Sequence, residues 1–82
     1  MAAAIRSALA LGRAVRDARR ARGWSQSELA THASVSQPTI STLERGTGDV
    51  SMTTLWRVLA ALELELQLST RGKRRAASAW DA

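Results

Sequence analysis

The sequence predicts a mainly α domain of four to five short helices that ends in one β-strand, and three observations predict it. Apolar residues recur at spacings of three and four over most of the stretch from Ile5 to Leu62, the period of an amphipathic helix. Ser25, Ser36 and Ser51 each stand just ahead of such a run, where a helix N-cap belongs. From Leu62 to Leu68 the period changes from 3.6 to 2, with four Leu on one face and Glu63, Glu65 and Gln67 on the other. The chain therefore divides into a helical domain over 5–62, a strand over 62–69 and a basic flexible tail over 70–82.

The first helix is expected over 5–22, with Ile5, Ala8, Leu11, Val15 and Ala18 inward and Arg13, Arg16 and Arg20 outward. Gly23 can take the left-handed conformation that ends it. Ser25-Gln26-Ser27-Glu28 is a capping box, in which the Ser25 hydroxyl accepts from the Glu28 amide and the Glu28 side chain reaches back. The second helix runs from there to about Ala33, burying Leu29 and Ala30. Ser36 caps a third helix from Gln37 to about Arg45, with Pro38 in the first turn, where its missing donor costs nothing. Ile40 and Leu43 face inward and Gly46 stops the helix. After the loop 46–50, Ser51 caps a fourth helix whose buried stripe is Leu55, Trp56, Val58, Leu59 and Leu62. Trp24 and Trp56 are expected to fill gaps between helices, and His32 to lie on the outer side of the second helix. Alternation over 62–68 reads as a half-buried strand; the alternative is that the fourth helix continues, since Leu59, Leu62 and Leu66 also suit helical spacing. A lone strand has no mate in its own chain, so Leu62, Leu64, Leu66 and Leu68 are expected to pair with a second copy across a twofold axis.

Composition narrows the function. At 82 residues the chain has room for one small domain, and folding alone would bury only ~60% of the surface its unfolded chain exposes. It has no Cys and a single His, which removes thiolate zinc sites and cysteine nucleophiles and weighs against histidine-based metal sites and triads, so no metal, no cofactor and no enzyme activity are expected. Met1 to Leu11 is interrupted by Arg6 and runs into the helical pattern, so it is read as no leader, and the protein as cytoplasmic and nucleoid-associated. The net charge of +5 suggests an anionic partner, and its placement is more informative than its size. Residues 1–23 carry +5 and residues 69–82 carry +3, whereas residues 24–62 carry −1. Positive flanks would attract phosphate while the uncharged middle reads bases.

Two short helices joined by about three residues, the second opening with small polar side chains, form a helix-turn-helix, whose second helix fits the DNA major groove. The run Leu11-Gly12, Val15-Arg16, Arg19, Gly23-Trp24-Ser25-Gln26, Glu28-Leu29-Ala30, Val35-Ser36-Gln37, Thr39-Ile40-Ser41, Leu43-Glu44-Arg45-Gly46 resembles the Cro/C1-type, lambda-repressor-like (XRE) domain over about residues 8–62. The resemblance implies that Gln26 bonds a backbone phosphate and braces Gln37. It also places Gln37, Thr39, Ser41 and Thr42 at base-facing or groove-wall positions, and Ser36, which opens the same stretch, is a candidate base contact with them. The chemistry suits them: a Gln amide can accept from N6 and donate to N7 of adenine, and a Thr methyl can pack on the methyl of thymine. Where some relatives carry a second polar reader this chain has Pro38. Arg19 and Glu44 match a partly buried structural ion pair of similar domains. The loop amides and hydroxyls at Thr47, Gly48, Ser51 and Thr53, with Ser25 and Arg45, are the candidate phosphate contacts.

The Leu-Glu-Leu segment after the last helix, and a tail bearing Trp80, narrow the resemblance to HipB-type antitoxins. These are dimeric autorepressors of an operator palindrome whose partner is a HipA-like Ser/Thr kinase toxin. Trp80 is then the candidate toxin contact, though it is followed by Asp81-Ala82 in a more basic tail than the family's. The expected function is a homodimeric repressor and antitoxin. The alternatives are a stand-alone regulator of the same fold, or an interaction module that no longer binds DNA.

Overall fold

The computed structural model describes residues 4–70 and contains four helices among them: α1 (Ala8–Ala21), α2 (Gln26–Ala33), α3 (Gln37–Arg45) and α4 (Met52–Ala61). Each begins at a serine whose hydroxyl accepts a backbone N–H from the first turn: Ser7 from Ala10, Ser25 from Glu28, Ser36 from Thr39 and Ser51 from Thr54. Such caps satisfy donors that the helix itself leaves unpaired. The Ser25 cap is a full capping box, with Ser25 N–H donating to the Glu28 carboxylate at 2.7 Å. That bond is the main reason the Glu28 pKa lies below its usual value; the Ser25 hydroxyl bond adds to the effect.

Ser7 corrects the expected start of α1. The helix opens at Ala8 instead of residue 5, and Ile5 lies ahead of the cap with 47% of its surface exposed. The other ends fall where turn chemistry puts them: Gly23 and Gly46 have φ of +73° and +71°. The three-residue link Ser34-Val35-Ser36 makes its turn at Ser34, with φ +59°, and Val35 N–H bonds back to the Ala30 carbonyl.

The core is Val15, Leu29, Ala30, Ala33, Ile40, Leu43, Val58 and Leu62, with Leu11, Ala18, Val35, Val50 and Leu55 packed around it. Helix α3 lies between α1 and α2, and α4 closes the far side of α2. The α1–α3 approach is close because Gly12 is there: a Cβ at that position would run into the carbonyl oxygens of Leu43 and Glu44.

Two core expectations fail. Trp56 is 46% exposed, because it sits about 100° round the helix from Leu55, to one side of the stripe that Leu55, Val58, Leu59 and Leu62 bury. Trp24 packs at the margin of the core instead of filling its interior. Its indole stacks on the exposed His32 ring (centroids 4.0 Å apart, planes 10° from parallel), and the Arg22 guanidinium lies 5.2 Å from it.

The segment after α4 also differs from both readings. Among the described residues no strand forms, and the helix does not continue. Leu62 is the α4 C-cap and is 3% exposed, so it belongs to the chain's own core and not to a separate strand face. Glu63 adopts φ +57°, and Leu64 N–H returns to the Leu59 carbonyl at 2.8 Å, which closes the helix without a glycine. Arg22 secures the turn, donating to the Leu62 carbonyl at 3.1 Å and to the Glu63 carboxylate at 2.8 Å. Beyond it, residues 64–70 carry no regular structure, and Leu64, Leu66 and Leu68 are 40%, 47% and 88% exposed. The physical reason is that a strand's backbone groups need a neighbouring strand, and the described residues supply none. Arg71 to Arg75 and Trp80 lie outside the described residues. No described helix is long and apolar enough to cross a membrane.

Candidate nucleic-acid interface

The candidate interface is built on the start of α3, and its anchor is buried. Arg19 from α1 and Glu44 from the end of α3 are 7% and 5% exposed. Arg19 Nε donates to Glu44 Oε2 at 2.6 Å and Nη2 donates to Oε1 at 3.0 Å, a two-pronged pair that fixes the carboxylate plane. The third nitrogen, Nη1, donates to the Trp24 carbonyl at 2.7 Å and ties down the entry to α2. Its hydrogen bond to Glu44 raises the Arg19 pKa despite the opposing effect of burial.

Glu44 also reaches outward. Gln26, at the first position of α2, donates from Nε2 to Glu44 Oε1 at 3.0 Å, and its own Oε1 accepts from Gln37 Nε2 at 2.7 Å. Gln37 is exposed at the start of α3, one residue after the Ser36 cap. The four side chains form one chain of hydrogen bonds from the core to the surface, in the order Arg19, Glu44, Gln26, Gln37.

The remaining α3 residues divide by face. Ser41 and Arg45 continue the Gln37 face at four-residue steps, and Arg45 Nη1 donates to Ser41 Oγ at 2.8 Å. Thr39 is half-buried; its hydroxyl is 2.7 Å from Ser36 Oγ, so the two hydroxyls serve each other and the Thr39 methyl remains for apolar contact. Pro38 is exposed beside Gln37. Thr42 is turned elsewhere: it lines an open groove of about 260 Å³ with Ala8, Leu11, Gly48 and Leu55, and packs beside Gly48. It therefore sits beside the loop and off the face that carries Gln37, Ser41 and Arg45.

The candidate phosphate ligands lie at the edges of this surface. Ser25 is exposed, but its hydroxyl is engaged with Glu28 in the capping box, accepting from the Glu28 N–H and serving its carboxylate. Thr47, Gly48, Ser51 and Thr53 are exposed around the start of α4, and Arg45 is exposed at the end of α3. The Ser51 proton is engaged with Thr54 Oγ1 at 3.0 Å, so Ser51 offers its backbone more readily than its hydroxyl. Of the predicted dimer residues, Leu64, Leu66 and Leu68 are on the surface and Leu62 is not.

Three contributors escaped the sequence reading. The Gln26–Glu44 bond and the Arg22 clamp on Leu62 and Glu63 join residues 18, 40 and 41 positions apart, beyond any local spacing rule. Ser7 had a readable signal, being a serine three residues ahead of Ala10 at the head of an apolar run, but the alanine-rich start masked it.

Known proteins share the sequence pattern and the fold of this helical region. Residues 15–68 match the helix-turn-helix family. Antitoxin HipB of Escherichia coli O6:H1 is 40% identical over 58 residues, which cover 71% of this chain and 62% of that protein. The chain thus spans less than two thirds of that relative's length. A solved HipA-HipB-O2-O3 complex contains a chain that superposes with a TM-score of 0.76 at 35% identity, covering 84% of this chain and 97% of that one. The clp gene regulator ClgR of C. glutamicum gives a TM-score of 0.63 at 40% identity over 71% of this chain and 75% of that one.

Proposed function

The chain belongs to the Cro/C1-type helix-turn-helix family, and from that membership we propose that it is a homodimeric, sequence-specific DNA-binding repressor and the antitoxin of a HipB-like module. The observation that carries the DNA half is Gln37: an exposed amide at the start of α3, braced from behind by Gln26, with Ser41 and Arg45 on the same helix face. Gln37 reads adenine, the Thr39 methyl packs on thymine, and Thr42 walls the groove. Ser25, Gln26, Arg45, Thr47, Gly48, Ser51 and Thr53 hold phosphates on either side, and the basic face of α1 and the tail supply long-range attraction.

Leu64, Leu66 and Leu68, exposed in the single chain, are the residues through which the segment after α4 pairs with its twin across the twofold axis; the exposed Met52 and Trp56 offer further apolar surface to a second copy. The toxin half rests on the likeness to HipB, one relative of which is seen in a complex with HipA and DNA. The partner is a HipA-like Ser/Thr kinase, and Trp80 in the tail is a candidate contact with it. A stand-alone regulator is the second reading, favoured by the likeness to ClgR.

A gel-shift titration on the region upstream of the protein's own gene, at two salt concentrations, tests the DNA half. Gln37→Ala should cost about 1–3 kcal/mol on the operator and leave nonspecific binding almost unchanged. An equal loss on all sequences would remove the base-reading role and favour an interaction module. Co-purification of a kinase-type protein encoded beside it supports the antitoxin; no such neighbour supports the stand-alone regulator.

A further inference from the structure

We propose that Glu44, buried and unable to touch DNA, is a positioning residue for base reading: through Gln26 it decides which end of the Gln37 amide faces outward. The inference rests on the DNA-binding reading above and concerns what sets the polarity of its reader.

The argument is one of donors and acceptors. An ionised carboxylate only accepts hydrogen bonds. Glu44 Oε1 and Oε2 are both held by Arg19, at 3.0 and 2.6 Å, so the carboxylate cannot rotate away or present anything else. The Gln26 amide lies 3.0 Å from Oε1 and must therefore turn its NH2 group inward. The amide is planar, so its oxygen is directed to the other side, where Gln37 is 2.7 Å away. An oxygen can be met there only by a donor, and Gln37 must answer with its NH2 group. What remains on Gln37 is one N–H and a carbonyl oxygen with both lone pairs, in a fixed order. That is the donor and acceptor pair that N7 and N6 of adenine require. Reversing Gln26 would set its oxygen against the Glu44 carboxylate, acceptor against acceptor. The negative charge at Glu44 thus propagates outward as a sequence of bond directions.

The test uses the full chain and a duplex that the wild-type protein selects from a randomised library. Each adenine of that duplex is replaced in turn by 7-deazaadenine, which lacks the N7 acceptor, and by purine, which lacks the N6 amine. The position at which Gln37→Ala abolishes both penalties marks the Gln37 contact, where wild-type discrimination should be roughly 5- to 150-fold. Gln26→Met keeps the side-chain length without its polarity, and Glu44→Gln keeps the shape while offering either a donor or an acceptor to Gln26. In both variants the penalties at the marked position should fall towards ~2-fold while those at the other adenines stay at wild-type values. A lost phosphate contact or a loosened fold would weaken all duplexes alike, so this selective change separates positioning from support. Full retention of the N7 and N6 penalties in Gln26→Met, or in a folded Glu44→Gln, overturns the relay, and the Gln26→Met result can refute it even if Glu44→Gln does not fold. If the wild-type protein selects no duplex, or Gln37→Ala leaves every penalty intact, the DNA-binding reading falls and the relay with it.

Discussion

Gly12 offers a test of how closely α1 and α3 are fitted. In Gly12→Ala the new methyl has no room: besides meeting the carbonyl oxygens of Leu43 and Glu44, it would stand 2.8 Å from the Glu44 carbonyl carbon. These are backbone atoms within a helix, so nothing local can swing aside and the two helices must part. Overpacking costs about 1–3 kcal/mol, and rigid partners place this site at the upper end. Alanine's better helix propensity returns ~1 kcal/mol, leaving a net loss of about 2 kcal/mol. For a domain of this size that lowers the melting temperature by roughly 8–16 °C. Gly23→Ala is the matched control: φ there is +73° but no atom lies within 4 Å, so only the left-handed backbone is penalised, at ~1 kcal/mol. Gly46→Ala combines both penalties, with φ +71° and the Leu9 Cα at 2.6 Å, and should be the most damaging of the three. Thermal melts followed by far-UV circular dichroism, at one protein concentration, rank the variants. If Gly12→Ala melts as high as Gly23→Ala, or higher than the wild type, the close-approach argument is wrong.

Three further outcomes are expected. Glu44→Ala leaves Arg19 buried without its counterion and should cost ~3–5 kcal/mol in urea unfolding, a large part of the total of about 5–15 kcal/mol usual for a domain; a loss below ~1 kcal/mol would show that water reaches the pair. Because the folded Glu28 pKa is lowered, chiefly by the Ser25 N–H, its contribution is present above the ordinary glutamate value and lost as pH falls through the lowered folded value. The stability advantage of the wild type over Glu28→Gln should therefore shrink across that acidic window, and a difference independent of pH would dismiss the charged cap. Leu66→Lys places an ammonium on the proposed pairing face, so mass measurement should show a monomer; a stable dimer would move the interface elsewhere.

How much of this was legible in the sequence depended on range. The Ser25, Ser36 and Ser51 caps and the Gly23 and Gly46 stops are decided by residues within one helical turn, and α2, α3 and α4 lie where those signals put them. Ser7 was hidden because alanines carry a helical period equally well inside or outside a helix. Leu62 to Leu68 misled for a related reason: alternation states which face a segment would bury, but not that a partner is present, and Leu62 serves the helical core at the same time. Glu63, a glutamate in a left-handed turn, announces nothing locally, since it is held there by Arg22 from the other end of the fold. In the candidate interface, the polar opening of α3 stands in the sequence, but the bond from Gln26 to Glu44 exists only once α2 and α3 have packed.

Glu44 accepts from Arg19 on one side and Gln26 on the other, so a single carboxylate joins the fold to the proposed interface. This divides the protein's freedom to change. If α3 reads DNA as proposed, Gln37, Thr39 and Ser41 could vary while the core stays intact, and a duplicated copy of the gene would acquire a new operator most easily by substitutions there. Positions 19 and 44 are closed to such drift, since any change that altered the reading head through them would first have to survive as a folded protein. Sister proteins kept apart within one cell should therefore differ along the outer face of α3 and share the arginine and the glutamate beneath it.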